Sequence, residues 1–309
     1  MIEVAGLCKN YGDIVAVREV TFQAESRQIF GLLGPNGAGK STTLGCISGL
    51  LPPSAGRVRV LGHDVVLERR AARAQLGVVP QEVSLYEDLS ARENLSFWGA
   101  AYGLHGTELK ERVHEILGIT GLADRSQEPV KRFSGGMKRR LNLGCALVHR
   151  PRVLLLDEPT VGVDAQSRRR LLDLVRNESR NGACVLYTTH YMEEAEELCD
   201  RLAIIDHGRI IVQGTLAELH RIVGENDILR FAGKFDADRA RAALQDRNGV
   251  EIVQLTADSL RLSVAGASHR LAELFAALAA AGCEIRETTL TQPSLESLFI
   301  KLTGKELRE

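Results

Sequence analysis

A glycine-rich segment that ends in lysine and serine carries the clearest chemistry in the sequence. It consists of Gly34, Pro35, Asn36, Gly37, Ala38, Gly39, Lys40 and Ser41, and it matches the pattern GxxxxGK[ST]. Glycines at this spacing let the backbone curl so that successive N–H groups point at phosphate oxygens. We expect Lys40 to point into a solvated site and reach the β- and γ-phosphates of a nucleotide, and Ser41 to bind Mg²⁺.

The residue after this loop distinguishes it from a dinucleotide-binding loop. The fingerprint GxGxxG requires a third glycine after Gly37 and Gly39, and Thr42 stands in its place. We include Thr42 among the predicted nucleotide-binding residues.

Two carboxylates follow an apolar run further along the chain. The run Val153–Leu156 predicts a buried strand, which delivers Asp157 and Glu158 at its carboxyl end, where α/β folds place ligands. We expect Asp157 to hold Mg²⁺ through water and Glu158 to orient and deprotonate an attacking water. The alternative is a strand that ends in a solvated acidic pair, and the phosphate loop upstream favours the catalytic interpretation.

A third segment marks the start of a helix that we predict to run through Leu147. Ser134 has the properties of an N-cap, and Gly135 and Gly136 expose backbone donors at the positive end of the helix. A helix end of this kind binds an anion. A generic helix start is the alternative for this segment taken alone.

The three segments together resemble the ATP-binding subunits of ABC transporters. Ser134, Gly135, Gly136 and Met137 resemble the signature motif, which in that family meets the γ-phosphate held by the opposite subunit. The resemblance implies ATP and Mg²⁺ as cofactors and a second copy of the chain as partner, most simply in a homodimer. Met137 replaces the glutamine common at its position, which matters little if Ser134 and the glycine amides bind the phosphate.

The resemblance also implies roles for single residues. Tyr11 is similar to the aromatic residue that stacks on adenine, and Val17 to a residue that lines the same pocket. Gln81 resembles the Q-loop glutamine, which contacts Mg²⁺ or its water and links the site to the membrane subunit. Asp164 resembles the D-loop aspartate, and His190 the switch histidine at the γ-phosphate. The alternatives are a core aromatic, a loop amide, a helix N-cap and a structural histidine, respectively.

The elements that must position these residues follow from hydrophobic patterning. Continuous apolar runs at Ile29–Leu33, Val153–Leu156, Val185–Thr189 and Leu202–Ile205 predict parallel strands that are buried on both faces. Helix signals replace strand signals between about residues 85 and 149, where Ser90 and Glu93 form a capping box. The fold class is therefore α/β, a P-loop NTPase domain with an inserted helical subdomain.

A second, smaller domain follows. We assign residues 1–224 to the ATP-binding domain and residues 225–309 to an α+β accessory domain with the order strand-helix-strand-strand-helix-strand, the ferredoxin-like pattern. A last helix carries Leu295, Leu298, Phe299 and Leu302. The segment from Pro293 to Gly304 resembles the ending of ATPases that drive drug, antibiotic and polysaccharide exporters.

Composition narrows the partners. The formal net charge of −1 offers no excess of positive charge for a polyanion, so we expect no direct nucleic-acid partner. The six cysteines form no CxxC pair, which indicates small buried residues in a reduced compartment. We find no signal peptide and no apolar run of spanning length, and we expect a cytoplasmic protein that reaches the membrane only through a permease subunit.

The sequence therefore predicts an ATP-hydrolysing subunit that energises export through a separate permease. Two rivals are a soluble ABC-type regulator of ribosomes or DNA and an ATPase of an importer. Translation regulators of this type usually carry two ABC domains on one chain, and this chain has one phosphate loop. Importer ATPases often end in small β-rich domains, whereas this ending predicts α+β structure.

Overall fold

The structure is a computed structural model that describes residues 1–223, 226–245, 247–291 and 294–303. The chain divides into two compact units, of which the first begins at Met1 and extends to Leu216, and the second begins at Ala217. Residues 224 and 225, at the domain boundary that we predict, lie outside the described residues, as do Pro293 and Gly304.

The first unit alternates strands and helices. Its strands are β1 (Ile2–Tyr11), β2 (Ile14–Ala24), β3 (Ile29–Leu33), β4 (Ala55–Val60), β5 (His63–Asp64), β6 (Leu76–Val79), β7 (Val153–Asp157), β8 (Cys184–Thr189), β9 (Arg201–Asp206) and β10 (Arg209–Gly214). Its helices are α1 (Lys40–Ile47), α2 (Arg69–Arg73), α3 (Ala91–Ala101), α4 (Gly106–Ile119), α5 (Gly135–Leu147), α6 (Ala165–Arg180) and α7 (Met192–Leu198). An antiparallel sheet in the order β2-β1-β4-β5 accompanies a larger sheet in the order β10-β9-β3-β8-β7-β6.

The larger sheet brings the predicted site together. Strands β9, β3, β8, β7 and β6 run parallel to one another, whereas β10 pairs antiparallel with β9. Every residue of β3, β7 and β8 is buried. Leu33 pairs with Thr189, and Asp157 pairs with Thr188, so these three strands end at the same edge. The four strands predicted from apolar runs are confirmed, and the loops that follow three of them meet at that edge.

The inserted helical subdomain is confirmed as well. Helices α3, α4 and α5, with short 3-10 turns at Ala123–Arg125 and Val130–Arg132, are the elements of residues 85–149. The Ser90 hydroxyl accepts a hydrogen bond from the Glu93 N–H at 3.2 Å, and the Glu93 carboxylate accepts one from the Ser90 N–H at 2.8 Å. This capping box starts α3 where the sequence predicts it.

The second unit is a helix-covered antiparallel sheet. Its elements are α8 (Leu216–Val223), whose first residue still belongs to the first unit, β11 (Asn226–Lys234), α9 (Ala237–Leu244), β12 (Val250–Leu255), β13 (Ser259–Ala265), α10 (Ala267–Ala280), β14 (Glu284–Thr291) and α11 (Leu295–Thr303). The sheet order is β12-β13-β11-β14, with antiparallel pairing throughout. The predicted ferredoxin-like order of elements is therefore confirmed. Leu229, Phe231 and Leu262 pack with Leu274 and Leu278 of α10 in a separate core.

The cysteines are buried as the sequence predicts, with one exception. All six cysteines carry free thiols, and five are buried, but Cys8 is only half-buried and is not the core residue that we predict. Every helix in the described ranges is too short or too polar to cross a lipid bilayer.

Helix α5 packs so closely on β6 that a glycine is required between them. A methyl group at Gly77 would overlap the carbonyl oxygen of Ala146, whereas one at Gly118, exposed on α4, would meet open space. We predict that Gly77→Ala lowers the free energy of unfolding by about 1–3 kcal/mol through overpacking. The matched Gly118→Ala should raise it by up to about 1 kcal/mol through helix propensity. Urea denaturation of both variants checks this, and equal stabilities would contradict the close packing.

Candidate functional site

The phosphate loop turns sharply between β3 and α1. Gly37 and Gly39 have φ values of +81° and +104°, in the left-handed region that glycine adopts without strain. A side chain at Gly34 would overlap the carbonyl oxygen of Ile205, so the loop starts against the end of β9. No side chain caps α1, which leaves the N–H groups of its first turn available to a ligand.

A pocket of about 300 Å³ lies over this loop. Its lining residues are Ala16, Asn36, Gly37, Gly39, Lys40, Ser41, Thr42, Gln81 and Glu158. The pocket thus joins the loop, the predicted Q-loop glutamine and the predicted water-activating carboxylate. Pro35 and Ala38 serve the loop through its backbone, because the Pro35 carbonyl accepts from the Ala38 N–H at 3.2 Å.

Lys40 is buried, and our expectation that it points into a solvated site is wrong. Its side chain is 4% exposed, and its ammonium lies 2.9 Å from the Glu158 carboxylate. The same ammonium donates to the carbonyl oxygens of Gly34 at 2.7 Å and Pro35 at 3.0 Å. The physical reason is that the loop curls around the lysine and supplies the acceptors that a buried ammonium needs.

Glu158 connects the phosphate loop to the end of β8. Its second carboxylate oxygen lies 3.0 Å from His190 Nδ1. Glu158 has a φ of +44°, an unfavourable conformation for a residue with a side chain. Its N–H holds that conformation by donating to the Thr188 hydroxyl at 3.0 Å and to the Thr188 carbonyl at 3.2 Å. The structure therefore brings Lys40, Glu158 and His190 into one contiguous group.

Asp157 is fixed by the same threonine. The Thr188 hydroxyl donates to the Asp157 carboxylate at 2.6 Å, and Asp157 is only 8% exposed. Ser41 and Gln81 line the pocket with a hydroxyl and an amide. Carboxylate, hydroxyl and amide oxygens are hard donors of the kind that suits Mg²⁺.

A glycine that the sequence interpretation missed supports the loop from the other side. The Gly208 N–H donates to the Ala38 carbonyl at 3.0 Å, and the Gly208 carbonyl accepts from the Arg18 N–H at 2.7 Å. Gly208 lies in the turn between β9 and β10 with a φ of +77°. The His207-Gly208 turn signal between two apolar runs could have marked the turn, but not its contact with the loop.

The signature residues form a different surface. The Ser134 hydroxyl accepts from the Met137 N–H at 3.3 Å and caps α5, which runs to Leu147 as predicted. Ser134 and Gly135 are exposed. Residues 134–137, all within the described part of the chain, are not among the residues that line the pocket. One chain therefore does not place its signature helix on its own phosphate loop.

Asp164 lies beside this surface. It caps α6, because its carboxylate accepts from the Ser167 N–H at 2.9 Å, and that hydrogen bond lowers the pKa of Asp164. The N-cap alternative for Asp164 is therefore correct within one chain. A methyl group at Gly136 would overlap the Ser167 hydroxyl, so the starts of α5 and α6 are in close contact.

Arg139 of α5, the helix that Ser134 caps, contacts the backbone of two other segments. Its guanidinium donates to the Gln81 carbonyl and, at 3.2 Å, to the carbonyl of Val161. The sequence interpretation missed this residue, which is a basic residue among several in its segment.

The two residues assigned to the adenine site, Tyr11 and Val17, differ in their exposure. Tyr11, at the end of β1, is 46% exposed, and the Lys9 ammonium lies 5.1 Å from its ring centroid. Val17 is fully buried in the core, and its neighbour Ala16 lines the pocket. An exposed aromatic ring is a suitable stacking surface, but Tyr11 and Val17 are not among the residues that line the pocket, and both assignments stay predictions.

Comparison with known proteins agrees with this geometry. Residues 17–161 match the family described as ABC transporter, and residues 214–303 match the family described as ATP-binding protein DrrA1-3-like, C-terminal domain. The chain belongs to the ABC transporter family. It is an ATP-binding and ATP-hydrolysing subunit of the exporter type.

Individual relatives match along the whole chain. The linearmycin resistance ATP-binding protein LnrL of Bacillus subtilis (strain 168) is 40% identical over 311 residues, covering 100% of both proteins. The Nod factor export ATP-binding protein I of Sinorhizobium fredii (strain NBRC 101917 / NGR234) is 37% identical and covers 100% of this chain and 87% of its own length. A bacterial ABC transporter cassette solved as a dimer is 25% identical with a TM-score of 0.64, covering 70% of this chain and 99% of that one.

The buried Lys40–Glu158 ion pair can be tested by measurements of protein stability, which need no nucleotide. We predict that Lys40→Ala lowers the free energy of unfolding by about 1–3 kcal/mol, because it leaves a buried carboxylate without its cation. Adding Glu158→Gln should restore part of the loss, since an amide costs less to bury than a carboxylate. Urea denaturation measures both effects.

The control is an ion pair on the surface. Lys131 lies 2.8 Å from Asp88, and both side chains are exposed. Lys131→Ala should leave the free energy of unfolding unchanged within error, because exposed pairs contribute little. If Lys40→Ala is as harmless as Lys131→Ala, the buried pair does not form in solution.

Proposed function

We propose that two copies of this chain close on ATP and that hydrolysis in the closed pair drives export through a separate permease. The observation that carries the proposal is the separation of two complementary surfaces on one chain. A phosphate pocket with Lys40, Glu158 and His190 lies on one, and an uncovered helix start with Ser134 and Gly135 lies on the other. A second copy can bring its helix start to the phosphate that the first copy holds.

The residues around Glu158 suit hydrolysis. Lys40 is the natural partner of the β- and γ-phosphates, which carry more negative charge than the carboxylate that holds it without nucleotide. When the phosphates take Lys40, Glu158 is free to orient a water molecule and accept its proton. His190, already at hydrogen-bond distance from Glu158, keeps the carboxylate in place and can donate to the γ-phosphate from its ring. The water oxygen bonds to the γ-phosphorus and ADP leaves.

Mg²⁺ has suitable ligands at the same edge. Ser41, Gln81 and Asp157 supply hydroxyl, amide and carboxylate oxygens, of which Ser41 and Gln81 line the pocket. An ion held by these residues would supply positive charge that offsets the negative charge of the phosphates during hydrolysis. Tyr11 would stack on adenine, and Val17 would support the pocket from the core.

The remaining backbone donors bind the phosphate chain. Gly34, Asn36, Gly37 and Gly39 shape the loop, and the first turn of α1 adds the N–H groups of Lys40, Ser41 and Thr42. The amides of Gly135 and Gly136 and the hydroxyl of Ser134 would do the same from the partner copy, with Met137 completing that turn. Asp164 would meet the partner copy beside them.

A permease is the further partner. Gln81 is exposed at the pocket, and its backbone carbonyl is held by Arg139 of the signature helix. A permease segment that contacts the Gln81 loop can therefore sense the position of α5. We place the chain on the cytoplasmic face of the membrane, where a permease would receive it and where ATP is available.

Export is favoured over import and over ribosome or DNA regulation by the second unit. Its match to the C-terminal domain of DrrA-like ATP-binding proteins covers residues 214–303, and the relatives are named for resistance and for export. A permease encoded beside this chain, with about six apolar segments of spanning length, would agree with the proposal. The exported compound would contact that permease, while this chain supplies the energy.

We predict that Glu158→Gln keeps ATP binding and lowers the rate of hydrolysis by at least about 10²-fold, the cost of a lost general base. The amide keeps the shape of the side chain but cannot accept a proton. Glu193→Gln, an exposed change of the same chemistry on α7, is the matched control. Phosphate release from the purified chain measures the rate, and a parent-like rate for Glu158→Gln would contradict the assignment.

Closure on ATP has its own test. We predict that Glu158→Gln forms a dimer in light scattering only when ATP is present, because a ligand that binds the closed pair shifts the equilibrium towards it. Ser134→Arg in that background should abolish the dimer by placing bulk and charge between the glycine amides and the phosphate. Ser26→Arg, at an exposed turn before β3 and so at the opposite end of that strand from the phosphate loop, should not. ATP-dependent dimers of the Ser134→Arg chain would overturn the proposed arrangement.

A further inference from the structure

A second buried carboxylate lies behind the Glu158–His190 pair. Glu194, in the first turn of α7, is 2% exposed. One of its oxygens accepts hydrogen bonds from the hydroxyls of Thr160 at 2.9 Å, Tyr187 at 2.9 Å and Thr189 at 3.2 Å. Burial of a carboxylate is costly unless it is hydrogen-bonded, so these three donors stabilise Glu194 in its buried position.

Tyr187 donates one of the hydrogen bonds to Glu194. Its side chain is fully buried in β8, and burial together with the nearby Glu194 raises the pKa of Tyr187 well above its usual value. A phenol is protonated at neutral pH, so this hydroxyl can donate to the Glu194 carboxylate. Its hydroxyl lies 3.4 Å from that of Thr160, which closes the group.

The three hydroxyls come from the two segments that carry the proposed reacting side chains. Thr160 follows Glu158 by two residues, and Thr189 immediately precedes His190. The Thr189 hydroxyl also accepts from the N–H of Tyr191 at 2.9 Å, so it fixes the turn on both sides of His190. Glu194 thus holds the end of β8 against the residues that follow β7.

A second route leads from Glu194 to His190. The other oxygen of Glu194 lies 3.3 Å from Nε of Arg168 on α6. The Arg168 guanidinium lies 5.1 Å from the ring centroid of Tyr191, and the rings of Tyr191 and His190 have centroids 4.1 Å apart. Contacts of a cation and an aromatic ring at this distance are attractive. Arg168 also belongs to the helix that Asp164 caps, beside the proposed dimer surface.

We infer that Glu194 is a positioning residue that sets the hydrogen bond between Glu158 and His190, and this inference rests on the proposed function of that pair. Glu194 is not among the residues that line the pocket, so it acts through the residues it holds. Glu158 has an unfavourable φ of +44°, and such a conformation persists only where the surroundings fix it, so the Glu194 cluster adds to the support that Thr188 gives. Loss of the hydrogen bonds to Glu194 lets the loop after β7 and the loop after β8 separate, while the phosphate loop keeps its own contacts.

The test is the isosteric change Glu194→Gln in the full chain. An amide cannot accept three hydrogens on one side and face a guanidinium on the other. We expect kcat for ATP hydrolysis to fall between about 10-fold and 10²-fold, the range of misplaced reacting groups, with KM for ATP unchanged within twofold. Glu193→Gln, the exposed neighbour on the same helix, is the matched control and should behave as the parent. Titration with a fluorescent ATP analogue should give the same number of sites per chain for both variants.

A second background separates positioning from loss of folded protein. If Glu194 acts through the Glu158–His190 bond, Glu194→Gln should lower kcat by less than threefold in a His190→Ala chain, because effects of coupled residues do not add. A smaller folded fraction would instead lower kcat by the same factor in both backgrounds. That equal factor, or a Glu194→Gln rate equal to that of Glu193→Gln, would overturn the inference.

A variant that keeps the carboxylate covers the case in which Glu194→Gln does not fold. Thr189→Val removes the hydroxyl next to His190 at nearly constant volume, and it should reproduce the loss of kcat with an unchanged KM. Folded Thr189→Val with parent-like kcat would overturn the inference as well. Failure of the proposed function is seen elsewhere, as a parent-like rate for Glu158→Gln, so the two outcomes are distinguishable.

Discussion

The carboxylate of Glu158 bridges a lysine and a histidine that are far apart in sequence, and the arrangement of the first unit follows from that bridge. Lys40 belongs to the loop after β3, Glu158 follows β7, and His190 follows β8. Only a sheet in which β8 lies between β3 and β7 and all three run parallel brings these loops to one edge. The buried apolar runs of the three strands therefore fix the chemistry, because any change of register moves one member of the group away from the others.

The same bridge engages both oxygens of the side chain that we propose as the base. One oxygen of the proposed base lies 2.9 Å from the Lys40 ammonium, and the other lies 3.0 Å from His190 Nδ1. In the function that we propose, phosphate oxygens compete for the lysine, so the arrival of the substrate itself releases the base. In the proposed arrangement the signature helix of a second copy completes the site, since residues 134–137 do not line the pocket of their own chain. In this proposal hydrolysis depends on two separate conditions, which are bound nucleotide and the presence of a second copy.

Local signals in the sequence were sufficient for the elements and for the helix starts. Periodicity gave the strands of the central sheet, and the types of Ser90 and Ser134 predicted caps that the structure shows. The order of elements in the second unit also followed from patterning and turn residues. These features depend on neighbours within a few residues, which is the range that a sequence displays directly.

Features that depend on distant partners were not predictable. The burial of Lys40 depends on a carboxylate 118 positions later, and the support of Ala38 depends on Gly208. Glu194 is one acidic residue among several in its helix, and nothing in its sequence neighbourhood marks it as the one that three hydroxyls surround. Side-chain networks of this kind become visible only when the strands and helices are placed in space.

Because the thiols differ in burial, they should react with a modifying reagent in a defined order. Burial raises the pKa of Cys46 and Cys184 to about 11 and that of Cys283 above its usual value, so these sulfurs are poor nucleophiles while their cores are closed. A maleimide or disulfide reagent should therefore modify the half-buried Cys8 first. The rate at which Cys283 is modified later reports how often the core of the second unit opens transiently. The rate for Cys184 reports how often the central sheet opens.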